Sequence, residues 1–101
     1  MIDLKSDYLK IVMNIITKYI PDKEVWAFGS RINGKAKRFS DLDLVIVSNI
    51  PLNREVLINL QEAFEQSDLP IKVDIIEFYK ASKDFQEIIK ANYLIINQPD
   101  K

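Results

Sequence analysis

The chain has no cysteine and no histidine. Without thiols there is no disulfide framework and no thiolate metal site, and without imidazole there is neither histidine ligation of zinc nor imidazole acid–base chemistry. Chemistry is left to carboxylates, hydroxyls, lysine and arginine. Glycine is scarce, with Gly29 and Gly34 its only occurrences, so each reads as local punctuation. Long apolar runs are absent too: nothing approaches the about 20 residues of a membrane-spanning helix. The N-terminus MIDLKSDYLK alternates charged with apolar residues and has no signal core, so the expected address is cytoplasmic, with no membrane partner. Nor is there an excess of one charge. Fourteen basic residues stand against 15 acidic ones, for a net charge of −1, which argues against direct binding of long nucleic acid.

What is present is a globular composition, 48% apolar over 101 residues. That length makes one core, so residues 1–101 are expected to form a single domain. Leu4, Tyr8, Ile11, Val12, Ile15 and Tyr19 recur at helical spacing and stop before Pro21. Glu24 to Phe28 and Leu42 to Val47 read as strands, separated by a polar stretch from Gly29 to Ser40. Asn53 caps a second helix carrying Val56, Leu57, Leu60, Ala63 and Phe64, which ends near Ser67-Asp68. Ile71 to Phe78 is a third strand, and Ser82 caps a last helix bearing Phe85, Ile88, Ile89 and Tyr93. The expected order is α-β-β-α-β-α, an α+β chain.

The polar stretch and the strand after it hold the chemistry. Residues two apart on a strand share a face, so Asp41 and Asp43 present neighbouring carboxylates where the second strand begins. Paired carboxylates repel unless a cation intervenes, and their oxygens suit magnesium, which binds one or two protein carboxylates together with substrate phosphates. An isolated Asp-x-Asp is more often a turn cap and a solvated edge residue than a metal site. Here, however, the carboxylates open a strand that is apolar on both faces, a costly place for unpartnered charge. Gly29-Ser30 closes the first strand, where glycine permits close backbone approach and the serine hydroxyl can meet phosphate oxygens. Arg31, Lys35, Lys37 and Arg38 set four cations between the two features, serving either as triphosphate contacts or as a solvated basic loop. Asp74 interrupts the apolar run of the third strand and can join the pair if the second and third strands are neighbours. Three carboxylates around two magnesium ions would allow one ion to activate a hydroxyl and the other to neutralise a leaving pyrophosphate. Trp26 and the four tyrosines read as packing.

The stretch GSRINGKAKRFSDLDLVIV resembles the signature of the minimal nucleotidyltransferases of the DNA polymerase β-like superfamily: Gly-Ser, ten intervening residues, then Asp-x-Asp. Gly29 and Ser30 match its opening, Arg31 and Gly34 match residues common in its bacterial members, and Ser40 to Leu44 match its S-D-x-D-L core. Asp74 falls on the later strand that carries the family's last metal ligand. The resemblance implies a small mixed sheet with helices mainly on one face. It implies catalytic, metal-binding Asp41, Asp43 and Asp74, with nucleotide contacts from Gly29, Ser30, Arg31, Gly34, Lys35 and Ser40. It further implies transfer of AMP from ATP to a hydroxyl, a tyrosine of a helical HEPN RNase toxin for which the chain would be the antitoxin. Two other readings stay open, an antitoxin that acts by binding alone and a nucleotidyltransferase with a small-molecule or RNA acceptor.

Overall fold

The computed structural model of the chain describes residues 2–99. Its elements follow in the order α1 (Ser6–Tyr19), β1 (Glu24–Phe28), α2 (Ser30–Asn33), β2 (Leu42–Val47), α3 (Arg54–Glu65), β3 (Val73–Glu77), a 3-10 turn (Phe78–Lys80), α4 (Lys83–Ala91) and β4 (Tyr93–Asn97). The strands form one sheet in the order β3-β2-β1-β4. β1 lies antiparallel to both β2 and β4, whereas β2 and β3 run parallel. The crossover between those parallel strands is α3, as a parallel pair requires.

Period-two alternation sorts the sheet into two faces. Val25, Ala27, Leu42, Leu44 and Ile46 meet Val12 and Ile16 of α1 and Leu60 and Phe64 of α3 in the larger core. On the other face Trp26, Phe28 and Val45 are covered by Ile89 of α4. Two helices against one gives the mixed sheet with helices mainly on one face that the resemblance implies. β2 is sandwiched, and this explains why its sequence is apolar at almost every position.

The helix boundaries follow from local chemistry. Asn53 accepts from the amides of Glu55 and Val56, and Ser82 accepts from Phe85, so both expected caps are in place. α1 ends at Tyr19, with Asp7 in its first turn and Lys18 in its last complementing the helix dipole.

Two elements extend the expected order. α2 is a single turn between Gly29 and Gly34, too short to show a period. β4 begins at Tyr93, which helical spacing from Ile89 assigns to the last helix. The chain leaves α4 at Asn92, whose extended φ of −160° ends the helix, and Tyr93 then stacks on Trp26 with ring centroids 4.0 Å apart. The third strand is also shorter than Ile71 to Phe78, and the helix capped by Asn53, α3, stops at Glu65.

Truncating Leu60, 1% exposed on α3, to alanine should lower stability by about 2–5 kcal/mol. Ile88→Ala, at a side chain 63% exposed, should stay within about 0.5 kcal/mol of the parent. Urea unfolding followed by Trp26 fluorescence measures both.

Candidate active site

The carboxylates are placed by strand register. Asp43 lies opposite Phe28 across the antiparallel pair and opposite Asp74 across the parallel pair. Parity puts Asp41, Asp43 and Asp74 on the face that α4 partly covers. The neighbourhood of the second and third strands, on which Asp74's membership depends, is thus realised with no offset.

Gly29 follows Phe28 and adopts φ 81°, ψ −156°, a region open essentially to glycine alone. A Cβ built there would collide with the Asp43 carboxylate and stand 3.2 Å from its Cγ. The absent side chain is therefore a packing requirement of Asp43 as well as a backbone one. From Gly29 the chain enters α2, with the amides of Ile32 and Asn33 both donating to the Gly29 carbonyl at 3.0 Å. Gly34 closes that turn with φ 83° and open space where a Cβ would be, so its need is purely conformational.

Like charges crowd Asp43. Burial first, then the charge of Asp74, then that of Asp41, raise its pKa above the ordinary value. Asp74 is turned to Lys72, whose Nζ lies 3.2 Å from Asp74 Oδ1. That hydrogen bond, then the charges of Asp74 and Asp41, raise the Lys72 pKa. Lys72 is a site residue that sequence reasoning leaves out, although the Lys-x-Asp spacing on a strand already puts it on Asp74's face.

The basic loop is less free than its sequence suggests. Arg31 is 7% exposed. Its Nε donates to the Ser40 carbonyl at 3.1 Å, one terminal nitrogen donates to the Asp3 carbonyl at 2.8 Å, and the other donates to the carbonyls of Ser40 and Arg38 at 2.9 and 3.2 Å. Arg31 is thus a clamp that ties the N-terminal segment and α2 to the residues just before Asp41. A guanidinium has five donors in a fixed fork, which suits a loop full of carbonyls. Ser40 adds to the same scaffold, its Oγ accepting from the Lys37 amide at 2.8 Å. Lys35, Lys37 and Arg38 remain exposed.

A groove of roughly 920 Å³ runs along this face and past the open β3 edge. Gly29, Asn33, Asp43, Lys72 and Asp74 supply its polar wall, and Phe28, Phe85 and Ile88 supply an apolar one. Phe28 meets Phe85 edge to face at 5.9 Å, which holds α4 at the rim. Of the residues expected in the site, Gly29, Asp43 and Asp74 line this groove, while Ser30, Gly34, Lys35, Ser40 and Asp41 are not among its lining residues.

The donor set fits magnesium by chemistry: hard oxygen ligands, no cysteine or histidine in the chain to compete, and mutual repulsion that a dication would relieve. Among the described residues no three acidic side chains form a ready-made cation cage. Magnesium does not require one, since it fills its octahedron with waters and substrate phosphates around one or two carboxylates.

Known proteins share this fold. Residues 9–97 match the model of the nucleotidyltransferase domain, and the chain belongs to that family of enzymes, in its MntA-like branch. It is 48% identical over 100 residues, 99% of its own length and 88% of the relative's, to the probable protein adenylyltransferase MntA of Haemophilus influenzae. Its fold is similar to a chain in a crystal structure of a toxin–antitoxin with AMP-PNP, with a TM-score of 0.70 and 20% identity over 86% of this chain and 70% of that one. It is also similar to a chain in the structure of a tri-AMPylated Shewanella oneidensis HEPN toxin in complex with an MNT antitoxin, with a TM-score of 0.58 and 15% identity over 91% and 71%.

Gly29→Ala should cost about 1–3 kcal/mol through its backbone conformation, and more where Asp43 cannot move aside. Gly34→Ala should cost the backbone share alone, and urea midpoints of the two variants compare them. A carboxyl whose folded pKa is raised binds its proton more tightly in the folded state, so it subtracts stability as pH rises from the unfolded pKa through the folded one. Asp43→Asn should therefore unfold at higher urea than the parent at pH 7 in EDTA, and the gap should close toward and below the ordinary aspartate pKa of 3.8.

Proposed function

We propose that the chain transfers AMP from ATP to a hydroxyl of a partner protein, a tyrosine of a HEPN RNase toxin, in a magnesium-dependent reaction that silences the toxin. The observation that carries the reading is the direct cross-strand pairing of Asp43 with Asp74, with Gly29 packed on Asp43 at the floor of an open groove. The similarity to a probable protein adenylyltransferase, and to chains from toxin–antitoxin complexes, supports the acceptor class.

In this reading the acceptor oxygen attacks the α-phosphorus of ATP. A new P–O bond forms, the bond from the α-phosphorus to the bridging oxygen breaks, and pyrophosphate leaves with that electron pair. Asp41 and Asp43 would hold magnesium, with Asp74 reaching the ion nearer the acceptor. Bound magnesium supplies positive charge to the triphosphate and acidifies the attacking hydroxyl. Asp74 orients the acceptor hydroxyl and takes its proton as the oxygen attacks, releasing it to solvent afterwards. Gly29 keeps the Asp43 carboxylate against the backbone with no side chain between, while Ser30 offers a hydroxyl to phosphate oxygens. Lys35, exposed beside α2, adds charge for the triphosphate. Arg31 and Ser40 act one step back by fixing the loop that delivers Asp41.

The groove's apolar wall fits a protein acceptor. Phe85 and Ile88 are 37% and 63% exposed on the side of α4 that borders the carboxylates, where an incoming tyrosine and its flanking chain would approach. A small polar acceptor or an RNA end has less use for such a rim, and the net charge of −1 gives RNA little attraction.

Incubating the chain with α-labelled ATP, magnesium and a HEPN toxin from the same genome should label a tyrosine of that protein. The Asp41→Ala plus Asp43→Ala variant should lose at least roughly a hundredfold of that rate, the worth of several kcal/mol of metal-borne stabilisation. Equal transfer by the variant would overturn the proposal. Protection from the toxin by the variant, without transfer, would instead assign neutralisation by binding alone.

A further inference from the structure

Three carboxylates share one face of the sheet, and among the described residues one cation pairs with them. That cation is Lys72. Its Nζ stands 3.2 Å from Asp74 Oδ1, and its backbone carbonyl accepts from the Leu42 amide at 2.9 Å. The second bond fixes Lys72 beside the start of β2, next to Asp41. Register and backbone therefore aim Lys72 at the carboxylate cluster, whereas its side chain, 72% exposed, has no packing to hold it there. A flexible four-carbon stem held by charge alone is a movable counter-ion.

Electrostatics gives this a direction. With the site empty, Asp41, Asp43 and Asp74 repel one another, and a nearby ammonium lowers the cost of keeping them together. A divalent ion on the same carboxylates would meet that ammonium as a like charge. An arriving triphosphate, in contrast, brings several negative charges into the groove that Lys72 itself lines.

We propose that Lys72 is the resident counter-ion of the carboxylate site. It holds Asp74 in register while the site is empty, yields that place to the divalent ion, and carries its ammonium to the phosphates of the nucleotide arriving with the metal. Lys72 is on this account a positioning residue for Asp74 first and a phosphate contact second. The assignment rests on the magnesium-nucleotide reading of the site.

The test uses the full chain and manganese, a paramagnetic substitute for magnesium, with the free ion counted by electron paramagnetic resonance. Without nucleotide, Lys72→Met should bind manganese roughly three- to tenfold more tightly than the parent, because a competing charge a few ångströms away is gone. Lys72→Arg should stay near the parent, as should Lys10→Met, which removes an exposed lysine from α1. In the presence of manganese, Lys72→Met should bind a non-hydrolysable ATP analogue several-fold more weakly, and Lys72→Arg should recover much of that loss. Misfolding weakens metal binding, so the predicted gain separates the proposal from a structural defect. Manganese affinity in Lys72→Met equal to or below the parent's would overturn it, and unchanged affinity for the analogue would overturn its second half. Manganese binding by the parent that Asp41→Ala plus Asp43→Ala abolishes and Lys72→Met leaves unaltered would refute the Lys72 assignment alone. No manganese binding by the parent, with or without the analogue, would refute the metal reading and the assignment together.

Discussion

Everything in the site depends on the alignment of β2 with β3. The two strands pair in parallel so that Asp43 faces Asp74 with no offset. Side chains alternate between faces, so a slip of one residue would send Asp74 into the larger core and bring Val73 or Ile75 to the groove. Burial prevents that slip. Leu42, Leu44 and Ile46 are almost wholly enclosed beneath α1 and α3, and Val73 and Ile75 pack against the same core. The α3 crossover is pinned at its start, where Glu77, itself buried, accepts from the Leu52 amide at 2.7 Å. The apolar core on one face thereby sets the distance between charges on the other.

Legibility in the sequence follows from how each feature is encoded. β1, β2, α1 and the two helix caps are readable because period, β-branching and capping residues are local signals. The carboxylates are legible for the same reason, since strand parity alone puts Asp41 and Asp43 on one face. The partnership with Asp74 is conditional on strand adjacency, a tertiary fact. β4 is obscured because Tyr93 falls four residues after Ile89 and mimics a helical stripe, although Leu94, Ile95 and Ile96 after Asn92 are a strand signal. α2 is one turn between two glycines, below the length at which a period exists. The role of Arg31 is hidden because sequence shows a charge and not its surroundings; only the folded loop reveals the carbonyls that surround the guanidinium. The pairing of Lys72 with Asp74 is visible in their spacing, but it acquires meaning only once Asp43 stands across from them.

The groove also divides its labour between two kinds of wall. The polar wall is built mostly where β1 ends and β2 and β3 begin, backbone positions held by the sheet's hydrogen bonding, which suits groups that must keep their geometry during a reaction. The apolar wall is shared, Phe28 coming from the sheet and Phe85 and Ile88 from α4, which is joined to the sheet mainly through Ile89 and the edge contact of Phe85 with Phe28. A fixed half for the proposed nucleotide and a more lightly held half for the proposed protein acceptor would fit a small enzyme whose acceptor arrives on another chain.

The lone tryptophan gives this arrangement a built-in optical readout. Trp26 is stacked on Tyr93, touches Phe78 edge to face at 5.7 Å, and donates from its indole nitrogen to Glu24 Oε2 at 2.6 Å. It shares a sheet face with Phe28, which abuts Asp43, and with the apolar seat of α4. Ring stacking and indole hydrogen bonding both tune emission, so a shift of α4 or β4 when a partner docks would register as a change in colour or intensity. The molecule thus carries its own spectroscopic probe on the sheet face that also bears Asp43 and the seat of α4, with no label to attach.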